Sequence, residues 1–215
     1  MPKILKFPPD FLWGVSTSAY QIEGGINNDW SEWEKTRLRL SFAKASVGKQ
    51  GFGGRGNLAE ENINQNNFVC GPACDSYNRY EEDLDLVKNL NCGAYRMGLE
   101  WSRLEPEEGK FSQAEIEHYR KVLQAAKQRN LKVVLTLWHW TNPLWFAARG
   151  GWTDRKAVEY FARYVKLMAG EFGDLVDYWV TINEPMIYMA NGYLSAKFPP
   201  NKKNIFQARQ VYNNL

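Results

Sequence analysis

The chain has 215 residues, of which 44% are hydrophobic and 24% are charged, a balance typical of a folded globular protein. Its 27 basic and 24 acidic residues leave a net charge of only +3, which argues against nucleic acid or a membrane surface as a partner. No apolar run approaches the ~20 residues that cross a bilayer, and the first residues lack the apolar segment of a secretory signal. Three cysteines are an odd number, so no disulfide framework is indicated and a cytoplasmic location is expected.

Four short apolar segments are predicted to form buried β-strands. They are residues 11–16, 94–99, 132–138 and 178–182. Amphipathic helices are predicted between them from apolar residues at steps of three and four. These helices cover 76–90, the stretch after the capping box Ser112-x-x-Glu115, the stretch that begins at Thr153 or Asp154, and the start of a helix in 204–215.

This alternation predicts an α/β fold in which parallel strands are joined by crossover helices. The third helix is predicted to bury one apolar face, made of Val158, Phe161, Ala162, Val165 and Phe172. We interpret 1–215 as part of one domain, with a long polar loop inserted at about 24–71.

Polar side chains with sugar-binding chemistry follow the predicted strands. Gln21 comes after the first, His139 lies between two tryptophans after the third, and Asn183-Glu184 follow the fourth. Because reactive residues of parallel α/β folds gather at the carboxyl ends of strands, these groups are expected to face one cleft. Aromatic rings offer apolar faces to the C–H surface of a sugar, while amide and imidazole groups bind its hydroxyls.

Together these segments resemble glycoside hydrolase family 1, the β-glucosidase and β-galactosidase group, over nearly the whole chain. The tract Glu100-Trp101-Ser102-Arg103 and the segment Phe198-Pro199-Pro200 resemble the archaeal-type members more closely. The resemblance rests on four segments in the family's order: Phe11-Leu12-Trp13-Gly14 through Gln21-Ile22-Glu23-Gly24, Tyr95-Arg96 through Glu100-Trp101-Ser102-Arg103, Leu137-Trp138-His139-Trp140 through Gly150-Gly151-Trp152, and Thr181-Ile182-Asn183-Glu184-Pro185.

The resemblance implies a retaining β-glycosidase that hydrolyses terminal β-linked glucosyl or galactosyl-type residues without a metal or organic cofactor. Glu184 would be the general acid/base, with a pKa raised by burial at an apolar strand end. Arg96 would lie lower in the barrel, near the nucleophile. The sugar hydroxyls would be bound by Asn183 at position 2 and by Gln21, His139 and Trp140 at positions 3 and 4.

The second catalytic carboxyl is not found. The family's nucleophile lies in a Glu-Asn-Gly motif on the seventh strand, and the nearest match here is Glu61-Asn62-Ile63 in the polar loop. Glu100 is the one local substitute, but family members carry it without using it as nucleophile. The resemblance therefore implies about the first four βα units of a (β/α)8 TIM barrel, from a truncated or split enzyme. A second polypeptide or a second copy would complete the barrel and cover its open edge strands.

Several other interpretations stay open. A non-catalytic carbohydrate-binding or structural half-barrel protein is the alternative function. His139 could be a core histidine, and Arg96 could neutralise Glu100. Among the tryptophans, Trp140 is expected to contact ligand, while the core is expected to hold Trp13, Trp101 and Trp179. Two neighbouring cysteines are too few for a metal site, and the glycines at 51–56 do not lie between a strand and a helix, so they are not a phosphate loop.

Overall fold

The computed structural model describes residues 6–37 and 69–215. Its centre is a sheet of four parallel strands in the order β1-β2-β3-β4. The strands are β1 Gly14–Ser16, β2 Ala94–Gly98, β3 Lys132–Trp138 and β4 Tyr178–Ile182. Neighbours in the sheet are also neighbours along the chain, as expected for strands joined by crossover helices.

The helices lie between and after the strands. They are α1 Ala19–Ile22, α2 29–37, α3 Ser76–Asn89, α4 Trp101–Leu104, α5 Gln113–Gln128, α6 Leu144–Ala148, α7 Ala157–Phe172, α8 Pro185–Met189 and α9 Ile205–Asn214. A 3₁₀ turn covers Gly151–Thr153 and a π-helical turn covers Ala190–Leu194. None of the helices in the described part of the chain is long and apolar enough to cross a membrane.

The core lies around β3, which is buried on both faces. Val133 and Leu135 are inaccessible to solvent, and Leu137 and Trp138 are nearly so. This explains the continuous apolar run of the strand, because a central parallel strand is covered by helices on one face and filled by side chains on the other. The predicted capping box is also present, since Ser112 Oγ accepts a hydrogen bond from Glu115 N–H at the start of α5.

The tryptophans of the two outer strands are not core residues. Trp101 is buried as predicted, but Trp13 is 54% exposed and Trp179 is 37% exposed. Within the described residues, β1 and β4 each pair on one side only, so their outward faces are uncovered. Trp13 instead packs against the rings of Phe7 and Phe11, at 4.7 Å between centroids in each case.

The predicted start of α7 was wrong, and its predicted face was right only in part, because Phe172 is buried and Phe161 and Val165 pack against the core. The helix begins at Ala157 with Lys156 as its N-cap, because the 3₁₀ turn and a bend precede it. Its buried face is made of Ala157, Tyr160, Tyr164, Met168 and Phe172, whereas Val158 is 51% exposed. Both sides of the helix carry large apolar side chains, and the side that contains Tyr160 and Tyr164 is the one that faces the core.

The polar stretch at 24–71 is not a loop throughout, because α2 occupies 29–37. The glycines at 51–56 and the Glu61-Asn62-Ile63 segment lie outside the described residues.

Candidate active site

The ends of β1, β2 and β3 converge on Gly98, the last residue of β2. A Cβ atom placed there would lie 3.9 Å from His139 Cβ and 4.0 Å from Ser18 Cα. These are ordinary van der Waals separations, so the loop after β1 and the loop after β3 both lie close to the end of β2. This is the carboxyl end of the parallel sheet, where the candidate site residues were expected.

Asn183 is the centre of the candidate site. It is buried, and its Oδ1 accepts a hydrogen bond from Arg96 Nη2 at 2.5 Å. Its Nδ2 lies 3.0 Å from His139 Nε2 and 3.4 Å from Glu184 Oε2. The structure thus joins four of the predicted site residues, from β2, β3 and β4, in one hydrogen-bonded group. We call Arg96, His139, Asn183 and Glu184 the Asn183 cluster.

Arg96 joins the Asn183 cluster to the sheet. Its side chain points from the middle of β2, and its Nε donates to Thr136 Oγ1 on β3 at 3.0 Å. No carboxylate within the described ranges forms an ion pair with it, so it does not neutralise Glu100. Its guanidinium therefore fixes the Asn183 amide, with Oδ1 bound and Nδ2 directed towards His139 and Glu184.

His139 is a neutral member of the cluster. Burial, together with the nearby Arg96 charge, lowers its pKa to about 4. The neutral imidazole can accept a hydrogen bond from Asn183 Nδ2 at its Nε2. Its Nδ1 is buried and has no hydrogen-bond partner in the described part of the chain, so this nitrogen has the capacity to bind a further group.

Trp140 has a strained backbone conformation, and its ring lies next to Asn183. Its φ angle is +76°, and Thr141 N–H donates to His139 O at 3.0 Å, which makes Trp140 the central residue of a γ-turn. Bulky side chains rarely adopt this conformation. The indole Nε1 donates to Asn183 O at 3.0 Å, so the ring is tied to the end of β4.

Gln21 lies at the same end of the sheet but outside the hydrogen-bonded cluster. It is exposed at the end of α1, and its Oε1 accepts a hydrogen bond from Ser18 Oγ at 2.7 Å. Among the described residues, no hydrogen bond joins it to His139 or Asn183.

Glu184 occupies a special backbone position but is not buried. Its φ angle is +43°, in the left-handed region, and Pro185 begins α8 directly after it. The side chain is exposed. The burial predicted for it is therefore not found in this chain, because the described residues leave the outward side of β4 uncovered.

Two aromatic residues near the cluster were missed by the sequence analysis. Trp30 on α2 stacks on Trp140, with centroids 6.3 Å apart and planes inclined by 17°. Phe198, from the loop before α9, packs against both, at 4.9 Å from Trp30 and 5.3 Å from Trp140. Trp30 lies within the stretch interpreted as a polar loop, and the signal that could have found it was the spacing of Trp30, Trp33 and Arg37 on one helical side.

A buried carboxyl, Glu100, connects the loops that lie next to the site. It is inaccessible to solvent, and its side chain accepts hydrogen bonds from Ser102 N, Ser102 Oγ, Thr141 Oγ1 and Asn28 Nδ2. Burial raises its pKa, and these donors oppose the rise. All its contacts are structural, so Glu100 holds the loops together and does not have the exposed position of a nucleophile.

A second buried carboxyl, Glu23, joins α1 to α4 and α5. It accepts hydrogen bonds from Tyr119 OH at 2.8 Å and pairs with Arg103 Nε at 3.0 Å. Burial raises its pKa to about 7, although the Arg103 charge opposes this. Within the described ranges, His, Cys, Asp and Glu side chains do not form a group of three that could hold a metal ion.

Curated relatives match nearly the whole chain. The 1,4-beta-D-glucan glucohydrolase of Thermotoga neapolitana is 32% identical over 214 residues, covering 98% of this chain and 45% of that protein. Beta-glucosidase A of Thermotoga maritima is 31% identical over 216 residues, covering 99% and 44%. The chain thus spans less than half the length of these relatives.

Solved structures match the fold. The beta-glycosidase from Pyrococcus horikoshii has a TM-score of 0.80 and 33% identity, covering 98% of this chain and 43% of that one. The beta-glucosidase from Thermotoga maritima in complex with glucoimidazole has a TM-score of 0.81 and 29% identity, covering 98% and 44%. These structures are TIM barrels of which the chain covers less than half, so the prediction of a half-barrel of four βα units is confirmed. The closer likeness to archaeal-type members stays a prediction.

The sequence profile described as "Glycosyl hydrolase family 1" matches residues 4–215. With that match over almost the entire sequence, the chain belongs to glycosyl hydrolase family 1.

Proposed function

We propose that this chain carries the acid/base half of a retaining β-glycosidase that acts on terminal β-linked glucosyl or galactosyl-type residues. The observation that carries the proposal is the Asn183 cluster, in which Asn183 bridges Arg96, His139 and Glu184 at the carboxyl end of the sheet. Relatives named β-glucosidase and 1,4-beta-D-glucan glucohydrolase support the substrate class.

Glu184 would act twice in this reaction. In the first step its carboxyl proton passes to the glycosidic oxygen while a carboxylate nucleophile attacks the anomeric carbon, so the leaving group departs as an alcohol. In the second step the Glu184 carboxylate removes a proton from water, which attacks the glycosyl-enzyme and frees the nucleophile. The exposed position of Glu184 gives water access to this carboxyl.

Asn183 would bind the 2-hydroxyl of the sugar. Because Arg96 occupies its Oδ1 and one Nδ2 proton is directed to His139, the second Nδ2 proton, which makes the long 3.4 Å contact with Glu184 Oε2, would be the donor to this hydroxyl. A hydrogen bond to the 2-hydroxyl strengthens as the oxocarbenium-like transition state forms, so this contact would raise the rate as well as the affinity.

His139, Trp140 and Gln21 would bind the remaining hydroxyls of the terminal sugar, chiefly at positions 3 and 4. The neutral His139 has an unpartnered Nδ1, and Trp140 offers an aromatic face. Gln21 would have to turn away from Ser18 to join them.

The nucleophile would come from outside these 215 residues. The sequence contains no Glu-Asn-Gly, and Glu100 is fully engaged in structural hydrogen bonds. A second polypeptide, a second copy of the chain or a continuation of it would supply the remaining strands. A cytoplasmic location, expected from the cysteine count, stays a prediction.

The alternative is a protein that binds carbohydrate, or serves a structural role, without catalysis. A specific observation favours it, because the amide and imidazole groups that would bind sugar meet at the strand ends, while none of the strands in the described residues carries a Glu-Asn-Gly motif. The two functions differ in whether any assembly that contains this chain turns over a β-glycoside.

The test is hydrolysis of a chromogenic β-glucoside by the chain, alone and mixed with a polypeptide that supplies the other four βα units of Thermotoga maritima β-glucosidase A. We expect turnover from the mixture, reduced about 100-fold or more by Glu184→Gln. Glu159→Gln, the same change on the exposed side of α7, is the matched control and should have no effect. A mixture that associates without turnover would contradict the proposal and favour the binding protein.

A further inference from the structure

Two cysteine thiols bind the backbone of α1 on both sides of Gln21. The Cys70 thiol donates a hydrogen bond to Tyr20 O. The Cys74 thiol donates to Ile22 O at 3.6 Å. A helix leaves its last four carbonyls without an intrahelical partner, and α1 has only four residues. The two thiols therefore supply donors to the carbonyls that flank Gln21.

The segment that carries both thiols is a tight turn. Ala73 N–H donates to Cys70 O at 2.9 Å, which is the i to i+3 hydrogen bond of a β-turn. Such a turn brings its first and last Cα atoms within about 7 Å of each other. Cys74 follows directly, so both thiols lie on one short segment. We call residues 70–74 the thiol turn.

The thiol turn contacts both α1 and α2. Gly24, just after α1, has a φ angle of +80°, and a Cβ atom there would lie only 2.1 Å from Pro72 O. The close approach of the turn to α1 therefore requires glycine at this position. On the other side, Cys70 N–H donates to Glu34 Oε2 of α2 at 3.1 Å. A change in the shape of the turn is consequently passed to the end of α1.

The two thiols differ in exposure. Cys70 is half-buried, whereas Cys74 is exposed. Burial, followed by the nearby Glu34 and Cys74, raises the pKa of the Cys70 thiol to about 11. Cys70 is therefore protonated near neutrality and has the S–H group that its hydrogen bond requires. Reagents in solution reach Cys74 first, because its side chain is the accessible one.

We propose that Cys70 and Cys74 form a redox-active pair, which fixes the position of Gln21 while both thiols are reduced and frees it when they are joined in a disulfide. The oxidant is a small-molecule disulfide such as oxidised glutathione. The part of this proposal that concerns sugar binding rests on the proposed function, in which Gln21 binds hydroxyls of the terminal sugar.

The reaction is thiol–disulfide exchange in two steps. The Cys74 thiolate attacks one sulfur of oxidised glutathione, the S–S bond breaks, and one glutathione leaves as a thiolate. Cys70 then gives its proton to solvent and its sulfur attacks the sulfur of Cys74, so that the second glutathione leaves in the same way. The protein loses two protons and two electrons, and one oxidised glutathione becomes two reduced molecules.

Oxidation removes the contacts that hold α1. A disulfide has no S–H group, so Tyr20 O and Ile22 O lose both donors at once. Closing the bond also draws the two sulfur atoms together and away from the carbonyls, because an S–S bond is only about 2 Å long. We therefore expect the backbone at Gln21, between these two carbonyls, to move.

The first test asks whether the disulfide forms and whether it moves Gln21. The background is Cys92→Ala, because Cys92 is the third thiol of the chain. After treatment with oxidised glutathione, peptide mass spectrometry should give a Cys70–Cys74 disulfide, and the side-chain amide resonances of Gln21 should shift. The amide of Gln210, on the exposed side of α9, is the control and should stay in place. Two free thiols, or glutathione on Cys74 beside a free Cys70, would overturn the redox pair, and unchanged Gln21 signals would overturn its positioning role.

The second test asks whether oxidation changes sugar binding. The Kd of methyl thio-β-glucoside, which is not hydrolysed, is measured on the full chain before and after oxidation. We expect oxidation to raise Kd about 2- to 10-fold, as one or two lost hydrogen bonds would, and a reducing thiol to reverse the change. The change should vanish in Gln21→Ala, which has no side chain to displace, and in Cys74→Ser, which cannot form the disulfide. An equal change in Gln21→Ala would overturn the role of Gln21.

The redox inference and the proposed function can fail separately. A Kd that stays the same in a chain whose disulfide has formed would overturn the inference and leave the proposed function intact. A chain that binds no glucoside in either state would contradict the sugar-binding part of the proposed function, and the Gln21 amide signals would still decide whether the thiols position this residue.

Discussion

Asn183 is the central residue of the site, because its side chain contacts the Arg96 guanidinium, the His139 imidazole and the Glu184 carboxyl at once. Its amide has a defined orientation only because Arg96 occupies Oδ1. The neutral state of His139, with a pKa lowered to about 4 by burial and by Arg96, completes the arrangement, since a charged imidazole could not accept from Nδ2.

Replacing Asn183 should therefore reduce the binding of the transition state more than the binding of the substrate in its ground state. In the assembled enzyme we expect Asn183→Ala to lower kcat/KM for an aryl β-glucoside by about 100-fold or more, mostly through kcat, because the 2-hydroxyl contact tightens during the reaction. Steady-state kinetics measures this. Asn78→Ala, on the exposed side of α3, is the control. An effect confined to KM would contradict the assigned role.

At the level of single residues, the sequence predicted the members of the cluster but not their contacts. Arg96, His139, Asn183 and Glu184 meet as expected, because strand ends of a parallel sheet share one edge. The bond between Gln21 and Ser18 could not be foreseen, since both lie in a short turn and helix whose local geometry leaves no pattern. Nor could the exposure of Glu184, which follows from the uncovered outward side of β4 in the described residues.

Among the elements, α1, α4 and α5 are joined by a buried polar group rather than by apolar packing alone. Glu23 at the end of α1 meets Arg103 of α4 and Tyr119 of α5. A carboxyl whose folded pKa lies above its unfolded value keeps a proton that the unfolded chain releases, so stability falls as pH rises between the two values.

This linkage gives a prediction for Glu23. Its pKa is about 7 in the folded chain and 4.5 is its ordinary value, so the free energy of unfolding should fall between pH 4.5 and 7. Glu23→Gln cannot release a proton, and we expect it to flatten that part of the profile. Urea unfolding at several pH values measures the effect, with Glu159→Gln as control. A variant whose profile stays as steep as that of the original chain would show that Glu23 is ionised throughout.

Most of the helices and strands were predictable from the sequence, and the exceptions depend on tertiary contacts. The strands β2, β3 and β4 and the helix α5 follow clear periodic patterns and a capping box. The face of α7 was predictable only in part: Phe172 is buried as expected, but Val158 and Tyr160 are both apolar and only tertiary packing selects between them. Likewise, α2 is polar enough to resemble a loop, and it is held by hydrogen bonds between Asp29 and Asn142 together with the stacking of Trp30 on Trp140.

At the scale of the whole molecule, the main feature is the exposed apolar surface at the two outer strands. Trp13 on the β1 side and Trp179 on β4 expose large apolar surface, together with Phe7, Phe11 and Tyr178. Central strands of a parallel sheet are normally covered on both sides, and unpaired apolar edges associate with other chains. The exposed tryptophans were predicted to be core because periodicity reports that a strand has an apolar face, not whether a neighbour covers it.

The central claim is that Glu184 is the acid/base of a retaining β-glycosidase, and azide rescue tests it most directly. In the assembled enzyme, Glu184→Ala should still form the glycosyl-enzyme from an aryl β-glucoside with a good leaving group, because that phenolate departs without a proton. Water then lacks its base, so turnover should stop at this stage. Azide needs no base, and we expect it to restore turnover and give β-glucosyl azide. No rescue by azide, or a product of α configuration, would contradict the account.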